Sequence, residues 1–366
     1  MMQFIDLHAQ YMRHEKEIDA AVKKVMMEGH YIGGPEVREL EAKLSAFCGR
    51  KHAIACANGT DALKIVLMAR NIGPGDAVFT SPFTFFATAE VVGNVGATPI
   101  FVDVDPKTYN LDPEKLEAAI QKVKAEGKLV PKAVIPVDIF GQIADFEAIM
   151  PVAEKYGLWV MEDAAQSFGA LRNGRRSCSF GLASTTSFFP AKPLGCYGDG
   201  GMIFTDDDDL AALCRSVAVH GKGADKYDNV RLGLNSRLDT IQAAVLLEKF
   251  KFFPEELELR DEVAARYTEL LQGKVIVPYV APNCRSAWAQ YCVQSAQKAD
   301  IVAKLKAADV PTAVYYPIPL NKATAFKYLA PASCPVSEAI ARNIFALPMH
   351  PYLTEAVQQK IADAFA

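Results

Sequence analysis

Three short segments of this chain carry residue types whose spacing allows chemistry. The first, Asn58-Gly59-Thr60-Asp61, is a tight glycine turn leading into a helix predicted from Ala62. Unpaired N–H groups and the dipole at a helix start attract a phosphate, and Thr60 adds a hydroxyl. The same pattern serves equally as a plain helix cap. The second, Trp159-Val160-Met161-Glu162-Asp163-Ala164-Ala165-Gln166, is an apolar strand that ends in two carboxylates and a run of small residues. A carboxylate held there can stay ionised and pair with a buried protonated ring nitrogen, although the segment alone also reads as a cap. The third, 185–201, runs from a strand into a loop bearing one lysine, Lys192, and returns through Gly198-Asp199-Gly200-Gly201. Loop lysines are ordinarily solvated, but Pro190 and Pro193 flank this one and aromatics border it. That context predicts a fixed, partly desolvated amine, and desolvation makes a lysine competent for imine formation.

For the three segments to meet, the elements that carry them must end on one edge. From residue 50 to about 205 short apolar runs alternate with helical patterns, the mark of an α/β sheet covered by helices. Strands are predicted at 53–57, 77–80, 98–104, 133–137, 159–162, 185–189 and 201–205. In such sheets ligands gather beyond the carboxyl ends of the strands, where all three segments fall. Near 236 the pattern changes. Residues 238–252 and 255–271 read as two long helices with Pro254 as boundary or kink, followed by a strand at 290–294 and a helix at 299–308. The expectation is a large domain over 1–247 and a smaller one over 248–366, which suits a 366-residue chain.

Composition narrows the function classes. Apolar residues at 51% and charged residues at 22% exclude a disordered or fibrous chain. A net charge of −4 offers no global field for nucleic acid or membrane, so an anionic ligand needs a local site. The start lacks the apolar core of a signal peptide, and no apolar run approaches the roughly 20 residues that span a bilayer. A soluble, cytoplasmic protein is expected. The eight cysteines and six histidines are dispersed without a Cys-x-x-Cys pair, so neither a metal site nor a disulfide framework is expected.

The order of phosphate turn, carboxylate and lysine resembles the DegT–DnrJ–StrS sugar aminotransferases, a branch of the fold-type-I enzymes that use pyridoxal 5'-phosphate. The likeness covers essentially the whole chain. It runs through Gly29-His30-Tyr31-Ile32-Gly33-Gly34-Pro35-Glu36-Val37, Ala57-Asn58-Gly59-Thr60-Asp61-Ala62-Leu63, Glu162-Asp163-Ala164-Ala165-Gln166-Ser167 and Ser187-Phe188-Phe189-Pro190-Ala191-Lys192. It continues through Gly198-Asp199-Gly200-Gly201, Asn235-Ser236-Arg237-Leu238-Asp239, Tyr316-Pro317 and Leu347-Pro348-Met349-His350-Pro351. The resemblance implies an aspartate-aminotransferase-like α/β fold, with a mainly parallel sheet in the large domain and a smaller α+β domain at the C-terminus. It implies that Lys192 bonds pyridoxal phosphate, that Asp163 pairs with the ring nitrogen and that Gln166 sits by the phenolic oxygen. Gly59, Thr60, Asp61 and Ser187 would hold the phosphate, joined by Asn235 from a neighbouring subunit of a homodimer with shared sites. Phe85 matches an aromatic that covers the ring face, while its pattern alone reads as evenly as ordinary core.

Within the family, Asn235-Ser236-Arg237-Leu238-Asp239 resembles the branch acting on 3-keto nucleotide sugars, and the overall likeness points to the UDP-2-acetamido-3-keto sugar enzymes of cell-surface polysaccharide biosynthesis. Glutamate is the implied donor, and Arg237, Tyr315 and Tyr316 are the implied substrate contacts. Those relatives carry His-Tyr-Pro where this chain has Tyr315-Tyr316-Pro317, a change that favours a neutral C6 hydroxymethyl, while Arg237 keeps a C6 carboxylate open. A dTDP-3-keto- or 4-keto-6-deoxy sugar is the alternative substrate. A sugar dehydratase of the same fold has histidine at the lysine position, and Lys192 argues against it. A catalytically silent regulator or binding protein would be expected to lose Asp163, Lys192 or the phosphate turn, and all three are present.

Overall fold

The computed structural model describes residues 2–225, 227–329 and 331–365. Runs such as His52–Cys56 and Asp76–Thr80 are apolar on both faces, which only a sheet covered on both sides accommodates. They become the strands of a seven-stranded sheet: β1 (His52–Cys56), β2 (Asp76–Thr80), β3 (Thr98–Phe101), β4 (Val130–Ile135), β5 (Trp159–Asp163), β8 (Ala183–Ser187) and β9 (Gly201–Thr205). The missing numbers belong to a small hairpin, β6 (Leu171–Arg172) and β7 (Arg175–Arg176). The spatial order is β1-β9-β8-β5-β4-β2-β3, and β9 alone runs antiparallel to both its neighbours. All six other strands therefore point their carboxyl ends to one edge.

Alternate residues feed two cores. Ala53, Ala55, Ala77 and Phe79 pack on one face with the helices Pro35–Cys48, Pro113–Glu126 and Phe146–Lys155. Ile54, Cys56 and Val78 pack on the other with Gly59–Ala69, Ala87–Asn94 and Asp208–Ala218. A mixed α/β fold with a large, mainly parallel sheet is thus observed, as expected. The eight cysteines are free thiols, and all but Cys284 are buried. Among the described residues, no helix is long and apolar enough to cross a membrane.

One element differs from the sequence reading. The two helices expected on either side of Pro254 are a single helix, Thr240–Leu271. Proline removes one intrahelical hydrogen bond and costs roughly 3 kcal/mol in a helix interior. Here burial on both sides of it offsets that cost: Phe253 and Leu257 sit in the sheet's core, and Val263, Ala264, Tyr267 and Leu271 sit in a separate C-terminal core. That second core is built on the antiparallel pair β11 (Tyr291–Gln294) and β12 (Ile344–Leu347), with β10 (Cys284–Arg285) attached to the hairpin instead. The N-terminus joins it too, since the Met349 N–H donates to the Phe4 carbonyl (3.1 Å). We take the division of the chain to fall within the long helix.

Candidate active site

The carboxyl edge gathers the three segments. Beyond β1, Asn58 Oδ1 accepts the Asp61 N–H (2.7 Å), capping the helix Gly59–Ala69. The N–H groups of Gly59 and Thr60 lie in the first turn, where a helix supplies no acceptor, whereas that of Asp61 is already committed. Ser187, the last residue of β8, lies against this turn: a Cβ on Gly59 would sit 2.7 Å from Ser187 Cβ. From the other side β9 begins so close that a Cβ on Gly201 would lie 2.4 Å from the Asn58 backbone. Only glycine permits either approach. Ser187 Oγ accepts the Phe189 N–H (3.2 Å), which leaves its proton to donate. Helix start, hydroxyl and bare backbone form an anion cradle.

Beyond β5, the two carboxylates part company. Glu162 turns into the protein and accepts from Cys178 N–H (2.9 Å), Phe180 N–H (3.0 Å) and the Ser184 hydroxyl (2.7 Å). Burial pushes its carboxyl up, and does the same to the neighbouring buried Asp138. Asp163 is the one aimed at the site. It is 4% exposed and accepts from Thr88 Oγ1 (2.8 Å) and the Ala165 N–H (3.2 Å). Burial raises its pKa, while Thr88, the Ala165 N–H and the charge of Lys192 pull the other way. Lys192 stands in the loop after β8, its N–H bonded to the Phe189 carbonyl (2.9 Å). Burial lowers its ammonium to about 8, against the attraction of Asp163. Desolvation thus drives both groups toward neutrality, and a partly uncharged amine is the form that attacks a carbonyl carbon.

Gln166 is buried and fixed at both ends: its Oε1 accepts the Phe140 N–H (2.7 Å) and its Nε2 donates to the Tyr316 hydroxyl (2.9 Å). Tyr316, expected to face substrate, therefore also braces Gln166, and burial raises its hydroxyl pKa. Phe85 is 56% exposed at the site edge and tilted toward Tyr316 at 6.4 Å, so it is not core; Phe83 is the buried member of that run. Tyr315 is half-buried, edge-on to Phe4 at 6.3 Å, and joined to Tyr316 by a cis peptide bond.

Ser236 is buried and accepts the Ala57 N–H (3.1 Å), placing its segment beside the phosphate turn. Asn235 and Arg237, on either side of it, are exposed, and Arg237 donates to Asn235 Oδ1 (2.7 Å). Sequence reasoning missed Thr88 and Thr84, whose hydroxyls lie 3.1 Å apart and lead to Asp163. Their place in the hydroxyl-rich run after β2, at a strand's carboxyl end, is the signal that could have found them.

Comparison with known proteins gives this arrangement its class. Residues 12–366 match the DegT/DnrJ/EryC1/StrS aminotransferase family, and the chain belongs to it. It is 53% identical to a UDP-2-acetamido-2-deoxy-3-oxo-D-glucuronate aminotransferase of Pseudomonas aeruginosa, over 97% of both chains. It is 43% identical to a pleiotropic regulatory protein of Geobacillus stearothermophilus, over 99% of this chain and 97% of that one. A UDP-N-acetyl-3-dehydro-α-D-glucosamine 3-aminotransferase of Acidithiobacillus ferrooxidans is 39% identical, over 98% and 95%. A crystal structure of a family member from Brucella abortus superposes with a TM-score of 0.98 at 55% identity, covering 100% of this chain and 98% of that one. A Bacillus subtilis protein solved with bound cofactor PMP matches at 0.88 and 30% identity, over 96% and 81%.

The protein is accordingly a pyridoxal-phosphate-dependent aminotransferase. Its residues fit the cofactor: a helix start whose Gly59 and Thr60 N–H groups have no intrahelical acceptor, brought against Ser187 by glycine, with a buried carboxylate and a partly buried lysine.

Proposed function

We propose that the enzyme moves an amino group from glutamate to C3 of a UDP-2-acetamido-2-deoxy-3-oxo-hexose. The observation that carries the chemistry is the meeting, at the sheet edge that holds the anion cradle, of buried Asp163 at the end of β5 and partly buried Lys192 in the loop after β8, close enough that each charge acts on the other. Bound there, pyridoxal phosphate supplies an electron sink that acidifies the donor's Cα–H. Gly59, Thr60 and Ser187 hold its phosphate, with Asp61 completing the turn and Asn235 reaching in from a neighbouring subunit. Asp163, whose carboxylate Thr88 and the Ala165 N–H stabilise against its burial, would face the ring nitrogen. Gln166 would lie by the ring oxygen and Phe85 over the ring face, and the Lys192 amine would be the group placed to take and return the donor's Cα proton.

The relative named a regulatory protein raises the rival of a silent binding protein. The full set of turn, carboxylate and lysine in working geometry supports the enzyme. At C6 the support divides. The 53% relative acts on the glucuronate and the 39% relative on the glucosamine form. We adopt the uronate, with Arg237 as the cation that pairs with its carboxylate. Tyr315 favours the neutral sugar, since a phenol donates one hydrogen bond and brings no charge near neutral pH.

The test is a mass-spectrometric assay of the loaded enzyme with glutamate and both UDP-3-oxo sugars, alongside dTDP-keto-6-deoxy sugars. The uronate is expected to be aminated with the highest kcat/KM, and Tyr315→His to widen its lead by about 10-fold or more. Amination of only the dTDP sugars would overturn the reading.

A further inference from the structure

Lysine is almost never fully buried without a partner charge, yet Lys249 in the first half of the long helix is 2% exposed. Among the described residues no carboxylate lies within ion-pair distance of it, and Glu256 acts on it only at longer range. Its Nζ donates instead to the main-chain carbonyl of Gly195 (2.5 Å) and lies over the Tyr197 ring at 5.2 Å from the centroid. Gly195 is three residues beyond Lys192, in the same loop. One helical heptad earlier Gln242 reaches the same loop, its Oε1 accepting the Tyr197 N–H (2.8 Å). Residues seven apart share one helix face, so the two side chains grip both sides of Cys196.

The loop is also held by its own backbone, by one thiol and by the burial of Phe188, Leu194 and Cys196 in the core, while the Tyr197 ring lies edge-on to Tyr11. Phe188 N–H donates to Gly200 O and Cys196 N–H to Phe188 O, each at 2.8 Å, while Cys196 Sγ lies 3.0 Å from Phe188 O and 3.1 Å from Gly198 O. It is folded so tightly that a Cβ on Gly195 would meet Pro190 O at 2.5 Å and Phe189 O at 2.7 Å. These contacts fix the loop's shape. Gln242 and Lys249 are its side-chain anchors from the long helix.

We propose that Gln242 and Lys249 are positioning residues, a two-point clamp that sets where the loop presents Lys192 to the cofactor. A charged donor on a buried carbonyl is a strong hydrogen bond, and displacement of a reacting group by about 1 Å costs up to roughly 100-fold in rate. The inference rests on the reading that Lys192 carries the cofactor.

The experiment compares wild type with Lys249→Met, Gln242→Leu and, as a control on the same helix, Lys251→Met. Four quantities are measured: melting temperature, the rate at which added pyridoxal phosphate becomes trapped on Lys192 by borohydride, kcat, and the donor KM. Lys249→Met is expected to trap cofactor and turn over about 10- to 100-fold more slowly, with donor KM within about twofold. Gln242→Leu, at a partly buried position, is expected to show the same signature more weakly, and Lys251→Met none. Wild-type trapping rate and kcat in Gln242→Leu and in any folded Lys249→Met would overturn the clamp, as would a loss seen in melting temperature alone. Trapping on a lysine other than Lys192 in the wild type would instead overturn the underlying site assignment.

Discussion

Replacing Thr88 by valine removes the 2.8 Å hydrogen bond to Asp163 while leaving a side chain of nearly the same shape at the start of the helix Ala87–Asn94. Asp163 is then left with one weaker donor, the Ala165 N–H at 3.2 Å, and with the charge of Lys192, against the burial that already raises it. The carboxyl therefore titrates at higher pH in the variant than in the wild type. The reaction needs the carboxylate, so activity disappears as pH falls through that higher value and recovers as pH rises above it. An O–H donated to a buried charge contributes about 1.5–3 kcal/mol, which at about 1.4 kcal/mol per decade sets a fall of roughly 10- to 100-fold in kcat/KM on the acid side. The assay is kcat/KM for the donor half-reaction as a function of pH, with Thr88→Ser as the variant that keeps the hydroxyl and the wild-type profile. A uniform loss at every pH, with the acid limb unmoved, would refute the reasoning and leave Thr88 as packing.

Four further outcomes test the site. Borohydride is expected to fix the cofactor covalently on Lys192, and Lys192→Ala to lose turnover by many orders of magnitude while still binding phosphate at the Gly59 turn; Asp163→Asn should keep the cofactor and lose most activity, because a neutral partner no longer favours the protonated ring. Mixing inactive Lys192→Ala chains with Asn235→Ala chains should restore part of the activity through hybrid dimers in which one site regains both residues, and a fully active monomer measured by sedimentation would end that proposal.

The sheet was legible in the chain, and so was the lysine proposed here as the nucleophile. The apolar runs from His52 to Thr205 became strands within a few residues of their expected bounds, because strands buried on both faces are largely apolar, the hydroxyl-rich β8 being the exception whose Ser184, Thr185 and Thr186 hydroxyls are satisfied by hydrogen bonds. Lys192 stood out because two prolines and bordering aromatics rarely surround a solvated lysine. The turn at Asn58 was legible as a helix start, since capping is a local interaction between neighbours.

What the tertiary structure decided is everything that joins distant segments. Glu162 and Asp163 are adjacent and chemically alike, and only the strand's pleat sends one into the core and the other to the site. Thr88 meets Asp163 across 75 residues, Gln166 meets Tyr316 across 150, and Lys249 meets Gly195 across 54. None of those pairs has a periodicity of its own, because each contact is fixed by where two elements pack and not by spacing along either one. Pro254 illustrates the same limit: its local preference is to end a helix, and the burial of Phe253 and Leu257 in one core and Tyr267 in another keeps that helix whole.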